Sequence, residues 1–269
     1  MKKLSLSEIQ NLSLEGLVFF RDFLNKHHLR YYLAWGSLLG AVRHQGFIPW
    51  DDDIDIWMPR KDYNTLMSMI SEFESDEWTI VNYANNHRYV LPWAKLMNKR
   101  TICEPSMVAT RYKMGLSLDI FPLDYIDKPI AAAEEEMIQK VSPYFRSLEA
   151  YHPSITDPNV SFVSRWLRYF YFYSRCIFNK SYMILLPEYD NLFVMNEDSS
   201  ISVIDYISTS RVVFENEWFD NGCEISFNNE LFNAPINKEK VLTVLYGDYN
   251  TLPPVDQRVT QHLYDTYFI

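Results

Sequence analysis

The spacing of apolar residues changes several times along the chain, and each change predicts an element. Residues 5–26 repeat at helical intervals, with Ile9, Leu17, Phe20 and Leu24 on one face, and Ser5 with Glu8, or Ser7 with Gln10, supplies a capping box at the start. LRYYLAW (29–35) is short, apolar and aromatic and predicts a strand ending at Gly36. SLLGAVRH (37–44) then predicts a short helix beginning at Ser37. DIDIWM (53–58) alternates with period two and predicts a second strand, followed by a helix over 60–73 with Tyr63, Leu66, Met67 and Ile70 on one side. Further strands are expected at 89–97, interrupted by Pro92, and at 116–121; helices are expected over 131–150 and 237–245. Strands gather in the first half and helices in the middle. The expected fold class is therefore α/β, a mixed α+β core whose sheet is flanked by helices, with a helical insertion. By this reading residues 1–128 form the core, 129–210 the helical insertion, an acceptor-binding or membrane-proximal region, and 211–269 a C-terminal segment returning to the core.

Composition narrows the function. The chain has 269 residues, 48% of them hydrophobic and 16% aromatic, so a large core is available and wholesale disorder is excluded. A formal charge of −10 and the lack of a basic stripe argue against DNA or RNA as a partner. An anionic ligand would then need a bound cation to attract it. Cys103, Cys176 and Cys223 are odd in number and form no CxxC pair, which suits a reducing compartment. MKKLSLSEIQNLSLEG lacks the apolar run of a signal peptide, and no 18-residue uncharged apolar stretch occurs, so a cytoplasmic location is expected. Residues 162–186 set Arg165, Arg168 and Arg175 within one quadrant of a helix among Phe, Tyr and Trp. Peripheral contact with the inner face of the membrane is one reading of that pattern. A helix packed on the core with a basic edge is the other, and the acidic net charge favours it.

The chemistry concentrates in GFIPWDDDIDIWMP (46–59). On an extended segment Asp51, Asp53 and Asp55 share one face while Ile54 and Ile56 take the other. Carboxylates two residues apart on one face lie roughly 6.5–7 Å apart and repel by about 2.5 kcal/mol per pair at an effective dielectric near 20. A divalent cation with a taste for hard oxygen, Mg²⁺ or Mn²⁺, would turn that repulsion into attraction. A calcium EF-hand loop fails, because Ile56 and Asp62 stand where that loop needs Gly and Glu. A solvated acidic turn conflicts with the Asp/Ile alternation. Upstream, Gly36 and Ser37 at a helix N-terminus offer backbone N–H groups and a hydroxyl to a phosphate. Phosphate cradle, cation-binding carboxylates and room for an attacking hydroxyl together suit phosphoryl transfer.

AWGSLLGAVRHQGFIPWDDDIDIWMPRKDY (34–63) closely resembles the signature of the LicD family of phosphocholine transferases, relatives of fukutin within the polymerase-beta-like nucleotidyltransferase superfamily. The resemblance continues in AKLMNKRT (94–101), SLDIFPLD (117–124) and YGDYNTLPP (246–254). It implies a nucleotidyltransferase-like core that transfers phosphocholine, or a related phospho-alditol, from CDP-choline or a related CDP-alcohol. The acceptor is a sugar hydroxyl of a glycan such as teichoic acid or lipopolysaccharide, lipid-linked in one version, and CMP leaves. Carried onto this chain, Asp53 and Asp55 resemble the metal-binding pair and Asp119 the third carboxylate, a metal ligand, a base for the acceptor hydroxyl, or both. Lys95 and Arg43 are candidate phosphate contacts. Lys95 could equally pair with an aspartate, and Arg43 could answer only the helix dipole. Tyr246 and Tyr249 are candidates to stack on a base or enclose a choline ammonium, with plain core packing as the alternative. Asp51 is a second-layer candidate. Two other readings stay open: a nucleotidyltransferase releasing pyrophosphate, and a non-catalytic nucleotide- or glycan-binding protein.

Overall fold

The computed structural model describes residues 1–73, 75–89, 91–104, 113–149, 182–193, 201–207, 211–260 and 264–269, with isolated positions between 161 and 174. In chain order the elements are β1 (Lys2–Lys3), α1 (Leu6–Lys26), β2 (Tyr32–Leu33), α2 (Trp35–His44), β3 (Asp55–Pro59), α3 (Arg60–Ser68), β4 (Trp78–Val81), β5 (Ala94–Asn98) and β6 (Thr101–Glu104). There follow β7 (Ser117–Ile126), α4 (Ile130–Glu149), α5 (Tyr182–Asp190), β8 (Ser202–Asp205), β9 (Val212–Glu215), β10 (Cys223–Phe227), β11 (Glu230–Ala234), α6 (Lys238–Tyr246) and β12 (Asp265–Phe268). This is the expected mixed α+β class. The main sheet runs β2-β3-β7-β5-β4, and β7 also pairs with β8, which pairs with β9. Only β3 and β7 are parallel; the other pairs in this sheet are antiparallel. A smaller sheet, β1-β12-β6, ties the two chain ends together, and β10-β11 form a hairpin.

Several boundaries differ from the sequence expectation for physical reasons. The strand expected at 29–35 is only Tyr32–Leu33, and the helix begins at Trp35 rather than Ser37. Leu38 N–H bonds the Ala34 carbonyl (3.0 Å), so the first helical turn already contains Trp35 and Gly36. The acidic strand starts at Asp55, leaving Asp53 in the loop before it, although Ile54 and Ile56 are buried as the alternation requires. The strand expected over 89–97 is confined to Ala94–Asn98, because Pro92 has no N–H for a ladder. β7 runs well past residue 121, through Pro122, to Ile126. On that edge the β5 ladder stops at Ile120 and the β8 ladder begins at Asp124, so no strand on that side needs a donor at Pro122. Ser202–Asp205, within the stretch read as helical, is a strand of the main sheet. The hairpin turn Asn228-Asn229 has both φ angles positive (51° and 66°), the backbone that two-residue hairpins favour.

One hydrophobic core joins α1, α2 and both faces of β3 and β7, including Leu17, Phe20, Leu38, Ile56, Trp57, Leu118 and Ile120. Among the described residues no helix is long and apolar enough to cross a membrane. Arg165, Arg168 and Arg175, with most of the aromatic run around them, lie outside the described residues.

Candidate active site

The start of α2, the acidic loop and β3 are stitched together by main-chain geometry. Ala34 N–H donates to the Asp55 carbonyl (3.0 Å) and Asp55 N–H donates to Ser37 Oγ (2.9 Å). Asp119 N–H donates to the Ile54 carbonyl (2.9 Å), which seats β7 against the same segment, with Asp55 and Asp119 in register on parallel strands. From the other side, Gln10 of α1 donates to the Asp51 carbonyl (2.7 Å). The outcome is a cavity of about 430 Å³ into which Asp51, Asp53, Asp55 and Asp119 all project. Trp35, Trp50, Trp93, Phe121 and Tyr246 form much of the remaining wall.

Crowding of like charge shapes this cavity. Burial, then Asp53 and Asp119, push the Asp55 carboxyl well above the usual carboxylate range; Lys95 opposes the shift and Asp51 adds to it. Burial likewise raises the Tyr246 phenol, followed by Asp55, Asp51 and Asp53, although part of that ring is exposed. The donor set is all hard carboxylate oxygen, and its mutual repulsion is what a divalent cation relieves, so the residues fit Mg²⁺ or Mn²⁺. Among the described residues, however, no three carboxylate, imidazole or thiol groups converge tightly enough to chelate an ion as they stand. Asp119 is paired with Lys95 Nζ instead.

The sequence-derived candidates divide here. Asp53, Asp55, Asp119, Gly36 and Tyr246 meet at one cavity. Ser37 stands just behind it, buried, its hydroxyl accepting from Asp55 N–H. Arg43 and Tyr249 hold each other: an Arg43 guanidinium N–H donates to the Tyr249 carbonyl (2.7 Å), and the Tyr249 side chain packs on the core. The pair closes the α2–α6 corner, and neither residue is among the described residues that line the cavity. Lys95 stands beside the cavity in its ion pair with Asp119.

Residues that sequence reasoning missed are mostly aromatic. Trp35 has φ +43°, a strained backbone for so bulky a residue, and its ring packs edge-on against Trp57 (5.3 Å). Trp93 stacks on Phe121 (5.2 Å). The indole N–H groups of Trp35 and Trp93 are buried without a hydrogen-bond partner, a cost of about 1–3 kcal/mol each that an acceptor oxygen from a ligand would remove. The signal that could have found two of these residues is their placement, Trp35 directly before Gly36 and Trp50 directly before the acidic run.

Comparison with known proteins is consistent with this geometry. Residues 28–156, which carry Gly36, the acidic loop, Lys95 and Asp119, match the family described as LicD/FKTN/FKRP, nucleotidyltransferase domain. That stretch, which positions the cavity, is thus similar to a LicD-type nucleotidyltransferase domain. The chain is also 28% identical, over the full length of both proteins, to the lipopolysaccharide cholinephosphotransferase LicD of Haemophilus influenzae. Over 81 residues, 30% of each chain, it is 40% identical to an uncharacterised protein of Rickettsia prowazekii. A Rickettsia typhi protein, also uncharacterised, is 39% identical over 75 residues, 28% of this chain and 24% of that one.

Proposed function

We propose that this LicD-type chain is a phosphotransferase that moves phosphocholine from CDP-choline to a sugar hydroxyl of a surface glycan, with Mg²⁺ as its cofactor and CMP as the leaving group. The observation that carries the reading is the cavity itself, lined by four carboxylates together with aromatic side chains. Polyol headgroups would ask for hydrogen-bond partners; a quaternary ammonium asks for aromatic side chains and nearby negative charge, and the cavity lining holds both, Trp93 and Tyr246 together with Asp51. Full-length similarity to a lipopolysaccharide cholinephosphotransferase supports the same substrate class.

The chain's own groups divide the work. Trp35, Gly36 and Ser37, the first residues of α2, have main-chain N–H groups that no helical carbonyl can satisfy, and these would receive an anionic donor phosphate. Asp53 and Asp55 would hold the divalent ion, which when bound neutralises charge on the donor's phosphates. The acceptor oxygen attacks the phosphorus bearing choline, the bond from that phosphorus to the bridging oxygen breaks, and CMP departs with that oxygen. The hydroxyl proton passes to a carboxylate of the cavity wall. Incubation with CDP-choline, Mg²⁺ and a lipopolysaccharide acceptor should yield CMP and choline-bearing glycan. Asp53→Asn, still folded, should reduce the rate by roughly 10³-fold or more. Release of pyrophosphate from CTP in place of CMP from CDP-choline would sink the reading in favour of nucleotidyl transfer. Turnover unaffected by Asp53→Asn would remove the carboxylates from the mechanism.

A further inference from the structure

We propose that Lys95 is the resident cation of this site: its ammonium holds Asp119 until a divalent ion claims that carboxylate, and the released ammonium then turns to the donor's phosphates. The inference rests on the metal-dependent reading above and assigns Lys95 a place within it.

Three facts carry it. Asp55, Asp119 and Lys95 lie in one row across adjacent strands, Asp55 in register with Asp119 between β3 and β7, and Asp119 with Lys95 between β7 and β5. Lys95 sits on a strand whose neighbours Ala94 and Leu96 are fully buried, and its ammonium contacts Asp119 Oδ1 with both side chains about four-fifths buried. Lysine is seldom placed so without a partner. Finally, the charge balance is uneven, since four carboxylates line the cavity and no lysine or arginine is among the described residues that line it with them. The Lys95 charge acts on Asp55 as well as on Asp119. A monovalent ammonium so placed relieves the carboxylates in part, and a divalent ion at the same carboxylates relieves them more, so the two compete for Asp119. The lysine stem is long and freely rotating, which lets the displaced ammonium move by several ångströms without moving β5.

Mn²⁺ binding to the full chain, followed by electron paramagnetic resonance in the absence of any donor, tests the competition through a double-mutant cycle. Lys95→Met should bind Mn²⁺ about tenfold more tightly than wild type. Asp119→Asn should cost under about threefold when Lys95 is present, and about tenfold or more in the K95M background. Equal costs in both backgrounds, or no gain from K95M, would overturn the proposal while leaving the metal reading intact. Mn²⁺ binding unaffected by Asp53→Asn would instead defeat the metal reading and this proposal with it. Lys95→Gln repeats the cycle should K95M fail to fold.

Discussion

Gly36 shows how much of this site hangs on one absent methyl group. A Cβ there would lie 2.8 Å from Asp51 Oδ2, so the carboxylate could not keep its place beside the first turn of α2. Alanine is otherwise welcome near a helix start. Gly36→Ala should therefore cost under about 1 kcal/mol in stability and yet lower kcat/KM by roughly 10–100-fold, since a displacement of about 1 Å in a positioned group is enough for that. Paired thermal melts and steady-state kinetics would check it; unchanged kinetics would mean that Asp51 has no positional role. Asp51, Asp53 and Asp55 were legible from sequence because an extended segment turns them to one face and its isoleucines to the other, whereas Asp119 was found through the family resemblance of SLDIFPLD. Trp93 was not legible, because it sits in a loop where no period says which way a side chain points.

At the scale of elements, α1 links a local sequence signal to the distant site. Its capping box is complete: Ser5 N–H and Oγ donate to Glu8 Oε2 (2.8 and 2.9 Å), while Glu8 N–H donates to Ser5 Oγ (3.3 Å). Two residues on, Gln10 holds the Asp51 carbonyl, so fraying of this first turn loosens the acidic loop. Hydrogen bonding from Lys2, and then from Ser5, lowers the Glu8 carboxyl to about 2. The native state thus binds this proton less readily than the unfolded chain. The stabilisation is fully present above the ordinary value of 4.5 and fades as pH falls through it toward 2. Glu8→Gln keeps the cap geometry but loses the charge. Its melting temperature should lie below that of wild type at pH 7 and converge with it between about pH 4.5 and 2. Parallel curves throughout would show that the charge contributes nothing. Helix α1 was readable because both its cap and its apolar stripe are local in sequence. The shortened β5 and the long β7 were not, since whether a proline ends a strand depends on which neighbours reach it.

Across the whole molecule, β7 is the member that joins the halves, pairing with β3 and β5 on one side of the sequence and with β8 on the other. The tie is reinforced by a buried ion network that no pattern announces. Arg60, at the β3–α3 junction, donates to both Asp124 oxygens (2.9 and 2.6 Å) and to Asp190 (2.7 Å), partners 64 and 130 residues away. Tyr83 also donates to Asp190 (2.6 Å). Such partners become neighbours only after the sheet and α5 have assembled, which is why the sequence reading left them out. Burial pushes the Asp124 carboxyl up to about 6 against the pull of Arg60, so the network costs much of what it returns. Removing one member is another matter, because Asp124→Ala leaves the buried guanidinium short of its main counter-charge. A loss of about 3–5 kcal/mol is expected, seen as a lower urea midpoint in a single transition. Asp124 lies five residues beyond Asp119 along β7, and alternation turns the two to opposite faces of the sheet. Measured well below its melting temperature, the same variant should keep its kcat/KM within about threefold of wild type. A large kinetic loss with little change in stability would instead couple this network to the active site directly, and β7 would have to be regarded as a lever between them and not merely as the strand that holds both.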